Sequence, residues 1–129
     1  MQEGLVDKEN SFSSFGLDNR LLKGVEKMRF EHPTLVQTHA VPLALKGHDI
    51  LARARTGSGK TVAYLLPVLQ KILNGKLSEA EPHLRCLVLV PTVELCKQVL
   101  EVSLQLAAYC SKEVRCVHVS SDSDVKTQK

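Results

Sequence analysis

Apolar residues first recur at helical spacing after Asp18, at Leu21, Leu22, Val25 and Met28, which predicts a helix with one face toward a core and Asp18 as its N-cap. Pro33 and Thr34 mark the entry to a second helix carrying Leu35, Val36 and Ala40. Pro42 is expected to end or bend it before Gly47 closes the segment. The pattern then changes. Asp49–Ala54 (DILARA) reads as a short buried strand, and from Lys60 apolar residues return at helical spacing to about Leu73, just before Asn74 and Gly75. Pro67 falls inside this third helix and is expected to kink it or remove a hydrogen bond. Leu84–Pro91 (LRCLVLVP) is almost wholly apolar, as a strand covered on both faces requires. Thr92 caps the longest predicted helix, TVELCKQVLEVSLQLAAYC, with Glu94 in its first turn, and VRCVHV is a third strand.

A helical prelude followed by β-α-β-α-β predicts the α/β class, with a parallel sheet, right-handed crossovers and a ligand at the carboxyl ends of the strands. Residues 1–11 are polar and expected to form a flexible N-terminus; the polar tail 121–129 is expected to be disordered. Residues 12–120 fit one domain.

Composition excludes little but excludes it cleanly. With 43% apolar and 24% charged residues, and no uninterrupted apolar stretch near the ~18 a membrane helix needs, no membrane partner is expected. The N-terminus has neither a basic start nor an apolar run, so a secreted product is not expected either. Cys86, Cys96, Cys110 and Cys116 show no Cys-x-x-Cys pair and no histidines at zinc spacing, which predicts reduced structural thiols and no metal centre. A net charge of +3 is compatible with an acidic polymer as partner and equally with an ordinary solvated surface.

Candidate chemistry sits at the junction between the first strand and the third helix. Ala54, Arg55, Thr56, Gly57, Ser58, Gly59, Lys60 and Thr61 form a loop with the parts that phosphate binding needs. Gly57 and Gly59 permit backbone conformations that let successive N–H groups face an anion, and the helix starting at Lys60 adds its positive end. The Lys60 ammonium suits the β- and γ-phosphates and the Thr61 hydroxyl suits Mg²⁺. Strict phosphate loops begin with glycine, where this chain has Ala54.

This loop resembles the Ala-x-Thr-Gly-Ser-Gly-Lys-Thr segment of DEAD-box RNA helicases, in which alanine is the usual first residue. FEHPTLVQ (Phe30–Gln37) is similar to that family's Q motif, whose glutamine reads the adenine edge and whose aromatic packs near the base; Phe12 falls at the spacing of the motif's upstream aromatic. Arg29 stands where the family usually has glycine. Pro91-Thr92-Val93-Glu94-Leu95-Cys96 resembles the segment that touches the RNA backbone, with Val93 in place of its usual arginine. The resemblance covers roughly residues 12 to 120, and the wider run looks most like the nucleolar subgroup linked to large ribosomal subunit assembly.

The resemblance implies a RecA-like fold, ATP and Mg²⁺ as ligands, and Lys60 and Thr61 as catalytic residues. It implies base contacts from Phe12, Phe30 and Gln37, RNA contacts from Pro91, Thr92 and Glu94 weakened by Val93, pre-ribosomal particles as partners, and residence in the nucleus or nucleolus. Read from residue chemistry alone, Gln37 is as well a solvated helix residue, and Phe12 and Phe30 are core residues. A glutamine amide does carry the donor and acceptor that adenine needs. No Asp-Glu-Ala-Asp tetrad occurs in the 129 residues, and Asp122 and Asp124 lack a preceding apolar strand. The chain therefore reads as the incomplete N-terminal part of a first helicase lobe, expected to be inactive by itself. Two alternatives remain at this stage: a non-catalytic short form that binds nucleotide or a partner as a regulator, and an unrelated phosphate-loop kinase or GTPase without adenine selectivity.

Overall fold

Helix caps decide where the elements begin. The computed structural model describes residues 6–75 and 84–121. The loop 76–83, the tail residues 122–129 with Asp122 and Asp124, and residues 1–5 lie outside the described residues. Helix α1 (Asn19–Lys27) starts where the Asp18 carboxylate accepts the Arg20 N–H, α2 (Leu35–Leu45) where the Thr34 hydroxyl accepts the Gln37 N–H, and α4 (Val93–Leu106) where the Thr92 hydroxyl accepts the Leu95 N–H. Helix α3 (Lys60–Asn74) follows Gly59 and has no side-chain cap. A 3-10 turn, Phe12–Phe15, precedes α1.

Both internal prolines are accommodated. Helix α2 runs through Pro42 to Leu45 instead of ending there, and α3 runs through the buried Pro67 to Asn74. Each ring removes one N–H from the ladder, and packing of α2 along α3 holds the helices through the gap. Helix α4 stops at Leu106, short of the predicted extent, and residues 107–109 and 111–113 form turns. Residues 6–11, assigned by the sequence to a flexible N-terminus, make defined contacts. Val6 bridges Thr34, and the Asp7 N–H donates to the Pro33 carbonyl at 2.8 Å.

The core gathers Phe12, Leu21, Val25, Leu65, Leu66, Val99 and Leu106 from the 3-10 turn, α1, α3 and α4. Polar ties cross it. The Asp18 N–H donates to Gln70 Oε1 of α3 at 2.6 Å, and Arg20 pairs with both Asp18 and Glu113. Arg20 side-chain and backbone donors hold the Asp18 carboxyl at about 2, below the ordinary carboxylate range. A carboxylate with a depressed folded pKa contributes stability that is fully present above its unfolded value and lost as pH falls through about 2. Asp18→Ala is accordingly expected to cost about 1 kcal/mol at neutral pH. Urea titrations followed by circular dichroism should show that difference shrinking between about pH 4 and pH 2.

The three predicted strand segments carry no ladder among the described residues, whose one β-bridge joins Val6 and Thr34. A strand is held by its neighbours, since its N–H and C=O groups need partners in line, and the described residues bring no two of these segments into register. Most of their apolar side chains stay out of the core, with Leu51, Leu84, Leu87, Leu89, Val117 and Val119 well exposed, whereas Val114 is buried in it and Val90 and Cys116 pack against it. No helix among the described residues is long and apolar enough to cross a membrane.

Candidate functional site

Residues 54–61 form a loop whose shape follows from its two glycines. Gly57 and Gly59 adopt φ of 80° and 85°, the left-handed region in which a Cβ is strained. The Ser58 N–H donates to the Arg55 carbonyl at 3.2 Å, tightening the turn. Because Gly59 supplies no side chain, the first N–H groups of α3 point out of the helix without a side-chain cap, unlike those of α1, α2 and α4. Space around Gly57 is open, with nothing within 4 Å of where a Cβ would stand.

The loop's side chains divide between held and unmet. The Lys60 ammonium donates to the Ala54 carbonyl at 2.6 Å, so it spans the loop from the helix to the start of the turn. The Ser58 hydroxyl is buried, with 2% of the residue exposed, and finds no hydrogen-bond partner among the described residues. A buried hydroxyl left unpaired costs about 1–3 kcal/mol. Thr61 occupies the second position of α3, near Tyr64, whose phenol burial pushes up in pKa while the Thr61 hydroxyl pulls it down. Arg55 and Thr56 are exposed on the outside of the turn.

Gln37 is not a solvated helix residue. It is 2% exposed and closes a capping box: its Oε1 accepts the Thr34 N–H at 2.9 Å while the Thr34 hydroxyl accepts the Gln37 N–H. Its Nε2 donates to the Gly59 carbonyl at 3.2 Å, and that same oxygen accepts the Ala63 N–H at 3.1 Å. The entry to α2 and the entry to α3 are thereby joined through one atom. An amide has two N–H donors and two acceptor lone pairs, so one of each remains on Gln37. The Thr-x-x-Gln spacing of a capping box was readable in the sequence; the reach to Gly59 was not.

Phe12 and Phe30 both line an open surface cavity of about 600 Å³, together with Leu22, Val25, Glu26 and Arg29. Phe12 is buried in the core and stacks edge-on against Phe15 with ring centroids 6.0 Å apart; Phe30 is half-buried against the same cluster. Core packing and cavity lining coexist in both rings. Pro91, Thr92, Val93 and Glu94 sit together at the start of α4, Pro91, Thr92 and Glu94 exposed and Val93 half-buried. No hydrogen bond among the described residues links them to residues 54–61.

Comparison with known proteins converges on one group. The sequence profile described as DEAD/DEAH box helicase matches residues 34–129. A probable ATP-dependent RNA helicase ddx56 from Dictyostelium discoideum is 47% identical over 125 residues, covering 97% of this chain and 18% of that protein. The ATP-dependent RNA helicase dbp9 of Schizosaccharomyces pombe is 47% identical over 122 residues, covering 94% and 20%. The chain thus spans about a fifth of the length of these curated relatives. Among solved structures, the RNA helicase Prp28 from Chaetomium thermophilum bound to ADP superposes with a TM-score of 0.79 at 32% identity, covering 92% of this chain and 28% of its own. Dbp5 of S. cerevisiae bound to RNA and ADP BeF3 gives 0.63 at 34% identity, covering 77% and 25%. The α/β class read from the β-α-β-α-β pattern, and the RecA-like fold that the resemblance implies, agree with these superpositions, although the strand segments form no ladder among the described residues.

Proposed function

We propose, because this chain belongs to the DEAD/DEAH box helicase family, that residues 54–61 hold the triphosphate of ATP and that the chain is the nucleotide-binding part of an ATP-dependent RNA helicase. The observation that carries the reading is the start of α3: uncapped N–H groups behind two left-handed glycines, with the buried Ser58 hydroxyl unmet beside them. Lys60 would exchange the Ala54 carbonyl for phosphate oxygens, and Thr61 would supply a hydroxyl to Mg²⁺, the ion that neutralises phosphate charge in such sites. The spare donor and acceptor on Gln37 suit the adenine edge, with Phe12 and Phe30 beside the base.

The start of α4 is our candidate for RNA contact through Pro91, Thr92 and Glu94. The Thr92 hydroxyl accepts the Leu95 N–H at 3.1 Å and keeps its own proton to donate to a phosphate. Val93 brings no guanidinium, so the phosphate contact is weaker than an arginine would make it. The 129 residues contain no Asp-Glu-Ala-Asp tetrad, and our reading is that this stretch binds ATP without hydrolysing it. Likeness to the ribosome-assembly subgroup supports pre-ribosomal particles as the setting and the nucleolus as the location.

Titration with a fluorescent ATP analogue and Mg²⁺ tests the nucleotide site. Lys60→Ala is expected to weaken binding about tenfold or more, since a charge-assisted contact to phosphate is lost. Displacement by ATP in preference to GTP is expected from the adenine contacts. Identical titrations for the two proteins would remove the loop from the site, and equal displacement by GTP would favour a different class of phosphate-loop protein.

A further inference from the structure

The C-termini of α1 and α2 share one hydrogen-bond pattern and differ in the residue that takes the left-handed position. At the end of α2 the Gly47 N–H donates to the Ala44 carbonyl and the His48 N–H to the Leu43 carbonyl, with Gly47 at φ 90°. At the end of α1 the Arg29 N–H donates to the Glu26 carbonyl and the Phe30 N–H to the Val25 carbonyl, with Arg29 at φ 62°. Both are the helix stop in which the residue after the cap must turn left-handed. Glycine adopts that conformation without strain, whereas arginine does not, and Arg29 is the one non-glycine residue with positive φ among the described residues.

The side chain retained at that cost borders the cavity of Phe12 and Phe30. Arg29 is exposed, and among the described residues no carboxylate pairs with its guanidinium, although Glu26 and Glu31 line the same cavity. The depression is broad and open to solvent, with the half-buried Phe30 as its accessible ring and the exposed Arg29 among the residues that line it. A guanidinium plane stacks well on a nucleobase, and more weakly hydrated arginine leaves water for such a face more readily than lysine does.

We propose that Arg29 covers the purine base of the bound nucleotide, closing the Phe12–Phe30 cavity from its solvent side and raising affinity for the nucleoside part of ATP. The proposal rests on the ATP reading given above. It makes Arg29 a binding residue that trades fold stability for ligand affinity, so its removal moves the two quantities in opposite directions.

The test uses the whole chain at low micromolar concentration, with displacement of a fluorescent ATP analogue by adenosine and, separately, by tripolyphosphate with Mg²⁺. Arg29→Gly is expected to raise the urea midpoint by about 0.5 M, since the strained turn relaxes. It is also expected to weaken adenosine competition about fivefold and to leave tripolyphosphate competition unchanged. Arg29→Lys, which keeps the charge and loses the plane, is expected to recover only part of the adenosine affinity. Unchanged adenosine competition in Arg29→Gly would overturn the proposal, as would a loss confined to tripolyphosphate, which would make Arg29 a phosphate contact. Failure of the ATP reading itself is recognised separately, by a wild-type titration indistinguishable from that of Lys60→Ala, and it removes the basis of the proposal as well.

Discussion

Gly24→Ala is expected to destabilise the protein by about 2–3 kcal/mol, against the usual sign of the substitution. In the middle of a helix, alanine is normally better than glycine by about 1 kcal/mol, because glycine loses more backbone freedom on folding. Gly24 is buried where α1 meets the end of α4. A Cβ there would run into the Leu106 carbonyl oxygen, stand 3.1 Å from the Leu106 carbonyl carbon and 3.2 Å from the Gln105 oxygen. These are backbone atoms, so no rotamer change relieves the contact; the two helices must separate. Separation opens the core around Leu21, Val25 and Leu106, each almost fully buried. Urea unfolding followed by helical circular dichroism measures the effect. A midpoint at or above wild type would mean that the helices do not approach as closely as the structure has them.

Replacing Leu87 and Leu89 together with lysine is expected to weaken self-association of the 129-residue chain about a hundredfold. Leu87 is 69% exposed and Leu89 85%, two residues apart and therefore on one face of any strand the segment forms. An unpaired, apolar segment of strand-forming residues is a template for edge-to-edge pairing between copies, and lysine on an edge is a common guard against it. Burying two leucines between chains contributes about 3 kcal/mol or more, which sets the size of the change. Sedimentation and light scattering across a concentration series compare the two proteins. Indistinguishable monomers at every concentration would show that these leucines are not adhesive.

What the sequence made legible follows the range of the interaction concerned. Asp18, Thr34 and Thr92 each announce a helix start because capping is a contact over two or three residues. Gly57 and Gly59 announce the loop for the same local reason. Pro42 was expected to end or bend α2 and does not end it: a missing N–H is a local defect, while the continuation to Leu45 is set by contact with α3. Apolar runs mark Leu84–Pro91 and its two counterparts, but pairing is a property of neighbours that composition does not describe. The left-handed turn at Arg29 was hidden, since only the helix-stop bonds from Arg29 and Phe30 reveal it. Gln37 was singled out for its amide; its simultaneous use as a capping residue and as a tether to Gly59 needed three dimensions.

The Gly59 carbonyl serves two masters, the Ala63 N–H of its own helix and the Gln37 amide of the one before. The entry to α2 is thereby tied by a single side-chain bond to the loop proposed above to hold the triphosphate. A nucleotide held there, as proposed, is expected to shift the resonances of an isotope-labelled Gln37 side-chain amide, with no label placed in the loop itself.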